Sequence, residues 1–401
     1  MYPTEKEDNI AVKSRILITC SKGITPLLAA EVLQSGFPIL SQSIAGIATE
    51  GTIADTYSLN LHLRTAHRIL FLLREFPAHH ADDLYRSVYE IPWERFISPD
   101  EYVCVTSSVD NPSIRDSRFA NVKCKDAIVD RIREMAGRRP DSGPDRDRVV
   151  INLYWKGNDC SLHIDTTGEP LSRRGYRKIP MMAPMQETLA AAVIMASGWN
   201  GRGHFINPMC GSGTLAIEAA LLGLNRAPGL LRNNFGFMHI RGFNPQLWDD
   251  LRSEAKRAAK KAIPSRIIAT DIKREAVEAA RKNAETAGVE HLIEFGACGY
   301  ADTVVPEGSG VVILNPEYGA RMGRIRELES VYSGIGDFFK QTCRGYTGYI
   351  FTGNPELTKK VGLRAKRRIQ FFNSGIECRL LEYELYEGSR KQKNAGSENS
   401  V

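Results

Sequence analysis

The chain has 401 residues, of which 42% are hydrophobic and 25% charged, and its formal net charge is +6 at pH 7. This length and composition predict a globular protein of two or three domains. No stretch approaches 18 consecutive apolar residues, and the first twenty residues lack the basic-then-apolar order of a signal peptide. We therefore expect a cytoplasmic protein with no membrane partner.

The sequence pattern of the N-terminal half predicts a mixture of short strands and helices. Its pattern predicts one small α+β unit, or two such units fused, with a Pro/Gly-rich charged loop at 137–148. The expected strands are 15–20, 46–51, 55–66, 102–109 and the pair 149–157 and 159–168, with an apolar stretch at 67–75, and the expected helices are 21–36, 82–91 and 119–137.

The pattern changes near residue 185 to strands that alternate with helices. Such alternation predicts a parallel sheet with helices on both faces. The final segment, 389–401, is polar and poor in apolar residues, so we expect it to be disordered. The expected strands are 204–209, 265–272, 292–298, 310–316 and 348–354, the helices are 186–199, 213–224, 273–288 and 327–343, and a hairpin follows at 368–386.

The eight cysteines are widely spaced, with no CxxC pair and no Cys/His cluster. A zinc site needs closely spaced ligands, and a disulfide framework is typical of small secreted chains. We therefore expect reduced, mostly buried thiols and no metal site.

Three segments are rich in basic residues, and each is either a solvated face or part of a nucleic-acid-binding surface. The three together favour nucleic acid as a partner. They comprise Arg118, Lys123, Lys125, Arg131, Arg133, Arg138, Arg139, Arg146 and Arg148; then Arg173, Arg174, Arg177 and Lys178; then Lys359, Lys360, Arg364, Lys366, Arg367 and Arg368.

A glycine-containing turn follows the strand at 204–207 and opens a helix: its sequence, from Asn207 to Thr214, is NPMCGSGT. Gly211 and Gly213 remove β-carbons where a ligand must approach the backbone, and the helix behind them offers free N–H groups. The turn lacks the lysine of a phosphate-binding P-loop, and Glu218 is out of place for a dinucleotide fingerprint.

Asp271 ends the next strand, at the position where a carboxylate accepts ribose hydroxyls in a doubly wound sheet. The alternative is a helix cap. About sixty residues separate Gly211 from Asp271, so the aromatic- and arginine-containing segment between them must be an excursion. That excursion covers the site, touches RNA or packs in a core.

The third motif is Asn315-Pro316-Glu317-Tyr318-Gly319, which follows the apolar strand VVIL. It is similar to the (Asp/Asn)-Pro-Pro-(Tyr/Phe) sequence of enzymes that methylate exocyclic amines. An Asn carbonyl and a backbone carbonyl can accept both N–H groups of such an amine, and a Tyr face can stack on the base.

Together these motifs resemble the THUMP-domain class I RNA methyltransferases, most closely the bacterial 23S rRNA guanine-N2 methyltransferases. The resemblance covers nearly all of residues 15–388 and includes SKGITPLLAAEV and LHIDTTGEPLSRRGYR in the N-terminal part. It implies an α/β fold, with a Rossmann-like class I methyltransferase domain at 169–388. An α+β region would precede that domain, ferredoxin-like over 1–60 and THUMP over 61–168.

The resemblance also implies S-adenosylmethionine as cofactor and RNA, 23S rRNA above all, as partner. Asn315, Pro316 and Tyr318 would hold the guanine amine. The cofactor would lie against Pro208, Cys210, Gly211, Ser212, Gly213, Thr214, Asp271, Ile272 and Asp302, and RNA against Lys123, Lys125, Arg138, Arg139, Arg174, Tyr176 and Arg177.

Two positions depart from the family pattern. Glu317 stands where the family usually has a second proline, and Ala297 stands where an Asp often contacts the adenine amine; Asp302 is the expected substitute. Two other functions stay open, a tRNA guanine-N2 methyltransferase and a non-catalytic RNA-binding ribosome-assembly factor. A DNA adenine-N6 enzyme shares an NPxY-like motif, but the N-terminal resemblance argues against it.

Overall fold

A computed structural model of the chain describes residues 12–114, 116–181, 184–318 and 325–386. The expected disordered tail at 389–401 and Gly319 of the third motif lie outside these residues. The chain divides into two compact units. The first contains the described residues up to Arg174 together with Ala227–Arg257, and the second contains Gly175–Arg226 and the described residues from Ala258 onward.

The elements are numbered in chain order. The described strands are β1 (Ser14–Thr19), β2 (Ser41–Ser43), β3 (Gly46–Gly51), β4 (Arg68–Pro77), β5 (Tyr102–Asp110), β6 (Asp141–Ser142), β7 (Val149–Lys156), β8 (Asp159–Asp165), β9 (His204–Pro208), β10 (Ile267–Asp271), β11 (Ile293–Ala297), β12 (Gly310–Leu314), β13 (Thr347–Thr352), β14 (Arg367–Asn373) and β15 (Ile376–Glu384). The described α-helices are α1 (Thr25–Gln34), α2 (Asp55–His62), α3 (Ala81–Tyr89), α4 (Ser117–Ala136), α5 (Glu187–Ala196), α6 (Thr214–Gly223), α7 (Pro245–Ala258), α8 (Arg274–Ala287), α9 (Ile325–Gln341) and α10 (Pro355–Thr358).

The first unit is built on one eight-stranded sheet with the order β2-β3-β1-β4-β8-β7-β5-β6. β1 pairs antiparallel with β3 and β4, and β8 joins β4 to β7 in the same antiparallel manner. β5 runs parallel to both β6 and β7. The predicted α+β character of the N-terminal part is therefore confirmed.

The prediction of a strand over 55–66 is wrong, because α2 occupies this segment. The alternation of leucines resembled a strand because the buried surface of this helix is broad: Tyr57, Leu59 and Leu61 are each 0% exposed. Two reciprocal hydrogen bonds join Thr52 and Asp55 at the start of the helix. Asp55 Oδ2 accepts from Thr52 N at 2.7 Å, and Asp55 N donates to Thr52 Oγ1 at 3.1 Å. This Thr-x-x-Asp spacing is typical of a helix start, and the strand prediction did not take it into account.

The excursion between Gly211 and Asp271 contributes to the core of the first unit. Phe235 and Phe237 are 0% exposed, and the Phe237 ring stacks on Tyr57 with centroids 4.3 Å apart. Trp248 packs edge-on against Phe237 at 5.1 Å. Phe237 N also donates to the carbonyl of Thr166, the residue after β8, at 2.9 Å. Of the three roles left open by the sequence, packing in a core accounts for these aromatic residues.

The second unit has a seven-stranded sheet with the order β11-β10-β9-β12-β13-β15-β14. The first five strands are parallel, and β15 and β14 close one edge in antiparallel pairing. The strand order reverses between β9 and β12, because the chain proceeds from β9 to β10 on one side and reaches β12 on the other. In such sheets, ligands bind outside the carboxyl ends of the strands at this reversal.

All eight cysteines are free thiols, and seven of them are buried. This confirms the expectation of mostly buried thiols. Within the described ranges, no helix is long and apolar enough to cross a membrane. The same part of the chain contains no cluster of three His, Cys, Asp or Glu side chains with the geometry of a metal site.

Candidate active site

The glycine-containing turn lies at the carboxyl end of β9, at the reversal of the strand order. Met209, Gly211 and Gly213 all have positive φ angles, of 59°, 53° and 84°. A β-carbon on Gly213 would lie 2.8 Å from Cβ of Ala280, whereas one on Gly211 would meet no described atom within 4 Å. Gly213 is thus required by packing against α8, and Gly211 leaves open space beside the backbone.

Asp271 joins the end of β10 to this turn. Its Oδ2 accepts from Gly211 N at 3.0 Å, and its Oδ1 accepts from Lys273 N at 3.0 Å. The carboxylate therefore binds the backbone of the turn with one oxygen and the backbone just before α8 with the other. Ionised carboxylate oxygens have about four acceptor positions, so two of them remain for hydroxyl donors. The neighbouring Ile272 is 77% exposed.

The other residues of the turn are enclosed. Cys210, Ser212 and Thr214 are 8%, 5% and 5% exposed. Burial raises the pKa of the Cys210 thiol, which therefore stays protonated and is not a nucleophile. Cys210 N donates to Thr270 O at 2.8 Å, so β10 holds the turn through its backbone as well.

Two side chains that contact Ser212 tie the turn to the segment after Tyr176. Arg177 donates to Ser212 Oγ at 3.1 Å and to Glu187 at 3.1 Å. Asn283, which is 0% exposed, donates to Ser212 O at 3.1 Å and accepts from Lys178 N at 2.9 Å. Sequence reasoning missed Asn283. The sequence feature that could have indicated it is a polar residue on the apolar face of α8.

Asn315 directly follows β12, the strand that pairs with β9 in parallel. Its Oδ1 is buried and has no hydrogen-bond partner among the described residues. Asn207, in β9, donates through Nδ2 to Ile313 O at 2.9 Å, which links the two strands beyond their backbone ladder. The carboxyl ends of neighbouring parallel strands meet at one edge of a sheet, so Asn315 and the glycine-containing turn lie at the same edge.

Tyr318 is held by a hydrogen bond and by packing. Asn373 Nδ2 donates to its hydroxyl at 3.0 Å. Burial raises the pKa of Tyr318 to about 12, so the phenol is neutral near pH 7. Pro316 is buried and Glu317 is exposed. Beside β10, Ala297 ends β11 and Asp302 is exposed in a short 3-10 turn, Tyr300–Asp302.

Three of the side chains expected to contact RNA are engaged in packing. Arg174 and Tyr176 are each 1% exposed. In the first unit, Arg174 donates to Leu171 O at 2.8 Å. In the second, the Tyr176 hydroxyl donates to Glu218 at 3.1 Å, and Arg177 holds Ser212 as described above. These contacts correspond to structural roles rather than to an exposed RNA surface.

The other four expected RNA contacts belong to α4 and the turn after it. Their side chains are between 24% and 65% exposed, and each lies near a carboxylate. Exposed ion pairs of this kind are weak, so phosphates can replace the carboxylates as partners. The pairs are Lys123 with Asp82, Lys125 with Asp126, Arg138 with Asp100 and Arg139 with Asp126.

Three known domain families match the chain. Residues 15–70 match the RlmL ferredoxin-like domain, and residues 78–165 match the THUMP domain. Residues 174–382 match the RMKL-like methyltransferase domain, which contains the glycine-containing turn, Asp271 and Asn315.

Similar proteins have been named in bacteria. The ribosomal RNA large subunit methyltransferase K/L of Syntrophotalea carbinolica is 37% identical over 384 residues, which are 93% of this chain and 54% of that protein. A candidate RNA methyltransferase of Synechocystis sp. is 36% identical over 368 residues, 92% of this chain and 96% of that one. The chain thus spans about half the length of the K/L methyltransferases that it matches.

Solved structures share the whole described fold. SMU.472, described as a candidate methyltransferase and complexed with SAH, has a TM-score of 0.85 and 28% identity, covering 94% of this chain and 99% of its own. A Listeria monocytogenes protein, predicted to be an N6-adenine-specific DNA methylase, has a TM-score of 0.84 and 29% identity, covering 94% and 97%. The chain belongs to the family of proteins with an RMKL-like methyltransferase domain, which it combines with an RlmL ferredoxin-like domain and a THUMP domain.

Proposed function

We propose that the chain transfers a methyl group from S-adenosylmethionine to the exocyclic N2 of a guanine in 23S rRNA. In this proposal residues 61–168 contribute to RNA binding and residues 169–388 carry out the transfer. The similarity to K/L ribosomal RNA methyltransferases supports rRNA as the substrate. The third motif supports an exocyclic amine as the acceptor, and the choice of guanine N2 rests on the resemblance to the bacterial 23S rRNA guanine-N2 methyltransferases.

The observation that carries the proposal is the unpartnered amide oxygen of Asn315. A buried acceptor without a donor is costly, so its presence at a ligand-binding edge indicates that a ligand supplies the donor. An exocyclic amine offers two N–H groups. By accepting one of them, Asn315 orients the nitrogen and favours the electron distribution that makes its lone pair available.

The residues around the glycine-containing turn fit S-adenosylmethionine. Gly211 leaves open space next to its backbone, and Asp271 offers acceptor positions at the tip of the adjacent strand. When bound, the cofactor supplies an activated methyl group on a sulfonium. The protein's part is to orient the two reactants and to hold the acceptor nitrogen through Asn315.

The test is methyl transfer from labelled S-adenosylmethionine to unmodified 23S rRNA, with tRNA and DNA in parallel, followed by nucleoside mass spectrometry. We expect N2-methylguanosine from 23S rRNA. Label only in tRNA would indicate a tRNA guanine-N2 methyltransferase, and N6-methyladenine in DNA would indicate a DNA methylase. Either result would overturn the proposed substrate.

A second candidate is a non-catalytic RNA-binding ribosome-assembly factor, which Glu317 and Ala297 favour because they depart from the family pattern. It predicts RNA binding with negligible cofactor affinity. Micromolar binding of S-adenosylmethionine in calorimetry, together with label in any nucleic acid, would exclude it. Folded protein with neither property would leave it as the better description.

Asp271→Ala should lower the affinity for S-adenosylmethionine roughly tenfold to a hundredfold, because hydrogen bonds to charged groups contribute about 1.5–3 kcal/mol. The loss combines the ribose contact with the anchor of Gly211 N. Isothermal calorimetry measures it. Glu294→Ala is the control, since this exposed carboxylate on neighbouring β11 pairs with Arg266. Equal affinity in the two variants would contradict the assigned role.

RNA binding should weaken steeply with salt, since cations that contact phosphates release counterions. The Arg138→Gln/Arg139→Gln double variant should reduce the slope of log K against log salt by about 1.4 if both contact phosphates, at roughly 0.7 for each single-strand contact. Filter binding at several salt concentrations measures this slope. Arg266→Gln, at the amino ends of the parallel strands, should leave it unchanged. A flat dependence in the wild type would assign these arginines to a solvated face.

A further inference from the structure

The antiparallel hairpin at the edge of the second sheet reaches the end of the third motif. β14 and β15 are joined by a two-residue turn in which Ser374 and Gly375 both have positive φ angles, of 49° and 87°. Asn373 and Ile376 face each other on either side of this turn. We call residues 373–376 the hairpin tip.

The hairpin tip contacts Tyr318 at its hydroxyl. Asn373 Nδ2 donates to that oxygen at 3.0 Å, and Cys378 Sγ lies 3.7 Å from it. Both groups are therefore placed to donate to the phenol oxygen. Because β15 also pairs with β13 in the interior of the sheet, the hairpin presents the Asn373 amide from a fixed backbone.

The ring of Tyr318 also packs against Gly353, which has no side chain and so leaves room for it. A β-carbon on Gly353, just after β13, would lie 3.0 Å from Cδ2 and Cε2 of Tyr318 and 3.0 Å from Cγ2 of Ile376. The ring and the Ile376 methyl group thus occupy the space that a side chain at residue 353 would need. The 53% exposure of Ile376 leaves the tip open to solvent beside the ring.

We propose that Asn373 is a positioning residue for methyl transfer, which fixes the hydroxyl end of the Tyr318 ring on which the acceptor base stacks. The inference rests on the proposed function in one respect, that Tyr318 contacts the acceptor base. A tyrosine side chain rotates about two bonds, and packing against Gly353 restrains the body of the ring. The packing limits rotation of the ring about its long axis, and the Asn373 hydrogen bond fixes the hydroxyl at its far end, so together they define the position of the ring.

Asn373→Ala should lower kcat about tenfold, the effect expected for one hydrogen bond, and leave the KM for S-adenosylmethionine unchanged. In a Tyr318→Phe background, the same substitution should have almost no further effect, because the hydroxyl through which it acts is absent. Gln370→Ala, an exposed position on the same strand, is the matched control and should retain wild-type turnover. A tenfold loss in both backgrounds would overturn the proposal.

A second readout is independent of turnover. In protein labelled with 3-fluorotyrosine, the fluorine resonance of Tyr318 can be assigned by its loss in Tyr318→Phe. Asn373→Ala should shift or broaden this resonance, whereas Gln370→Ala should not; an unchanged resonance would overturn the proposal. If the wild type methylates no nucleic acid, the proposed function fails, and the fluorine spectrum still decides whether Asn373 positions the ring.

Discussion

Asn315→Ala should reduce turnover by about a hundredfold to a thousandfold, the range seen when a single group that acts on the reacting centre is removed. The affinities for S-adenosylmethionine and RNA should remain near wild type. The reason is that the Asn315 oxygen has no protein partner among the described residues, so the folded state loses little when it is removed. Single-turnover methyl transfer measures the expected loss of turnover, and separate measurements of cofactor and RNA affinity test whether binding is unchanged.

The matched control for Asn315 is Asn200→Ala. Asn200 is exposed, accepts from Arg202 N at 3.2 Å and precedes β9, on the opposite side of the sheet from the candidate site. This variant should turn over normally. Near-normal turnover in Asn315→Ala would contradict the role of Asn315 in holding the acceptor nitrogen. A loss of cofactor affinity together with the loss of turnover would indicate a structural effect.

Gly213→Ala should destabilise the second unit by about 2–5 kcal/mol. A left-handed backbone costs an alanine roughly 1–2 kcal/mol, and overpacking adds about 1–3 kcal/mol. Both apply, because φ is 84° and the new β-carbon would lie 2.8 Å from Cβ of Ala280. Ala280 cannot shift easily, since the obstructing atoms include its own backbone and it belongs to α8. Denaturant unfolding without ligand should show the loss.

Gly211→Ala is the informative control in the same turn. It has a positive φ of 53°, but no described atom lies within 4 Å of the added methyl group. The variant should therefore lose only about 1–2 kcal/mol of unfolding free energy. Its cofactor affinity should fall, because the methyl group would project into the space left open for a ligand. Equal stability losses in the two variants would contradict the packing role of Gly213.

The sequence predicted the parts of the site that are tied to strand ends. A helical or extended pattern extends over a whole element, so the sequence shows where each strand ends. In a parallel sheet the carboxyl ends of the strands lie at one edge. The sequence predicted Gly211, Asp271 and Asn315 at the ends of three strands, and these ends lie at one edge of the parallel sheet. The structure adds that Asp271 also binds Gly211 N, a contact between residues sixty positions apart that no local pattern encodes.

Contacts that depend on burial could not be predicted in this way. The basic cluster and the family resemblance placed the RGYR segment near RNA, yet Arg174 is 1% exposed. Asn283 gave only the weak signal of one polar residue on an apolar stripe. The leucine alternation in α2 resembled a strand because buried residues occupy most of the helix surface, with only Asp55, Ser58 and His62 not buried.

The insertion at 227–257 has a consequence for synthesis on the ribosome. The first unit needs Phe235, Phe237 and Trp248 to complete the packing around Tyr57, and these residues are translated after Gly175–Arg226 of the second unit. Domains generally fold as units during vectorial synthesis. Here the N-terminal unit cannot finish folding first. The packing around Tyr57 is therefore completed only after residue 248 has left the exit tunnel.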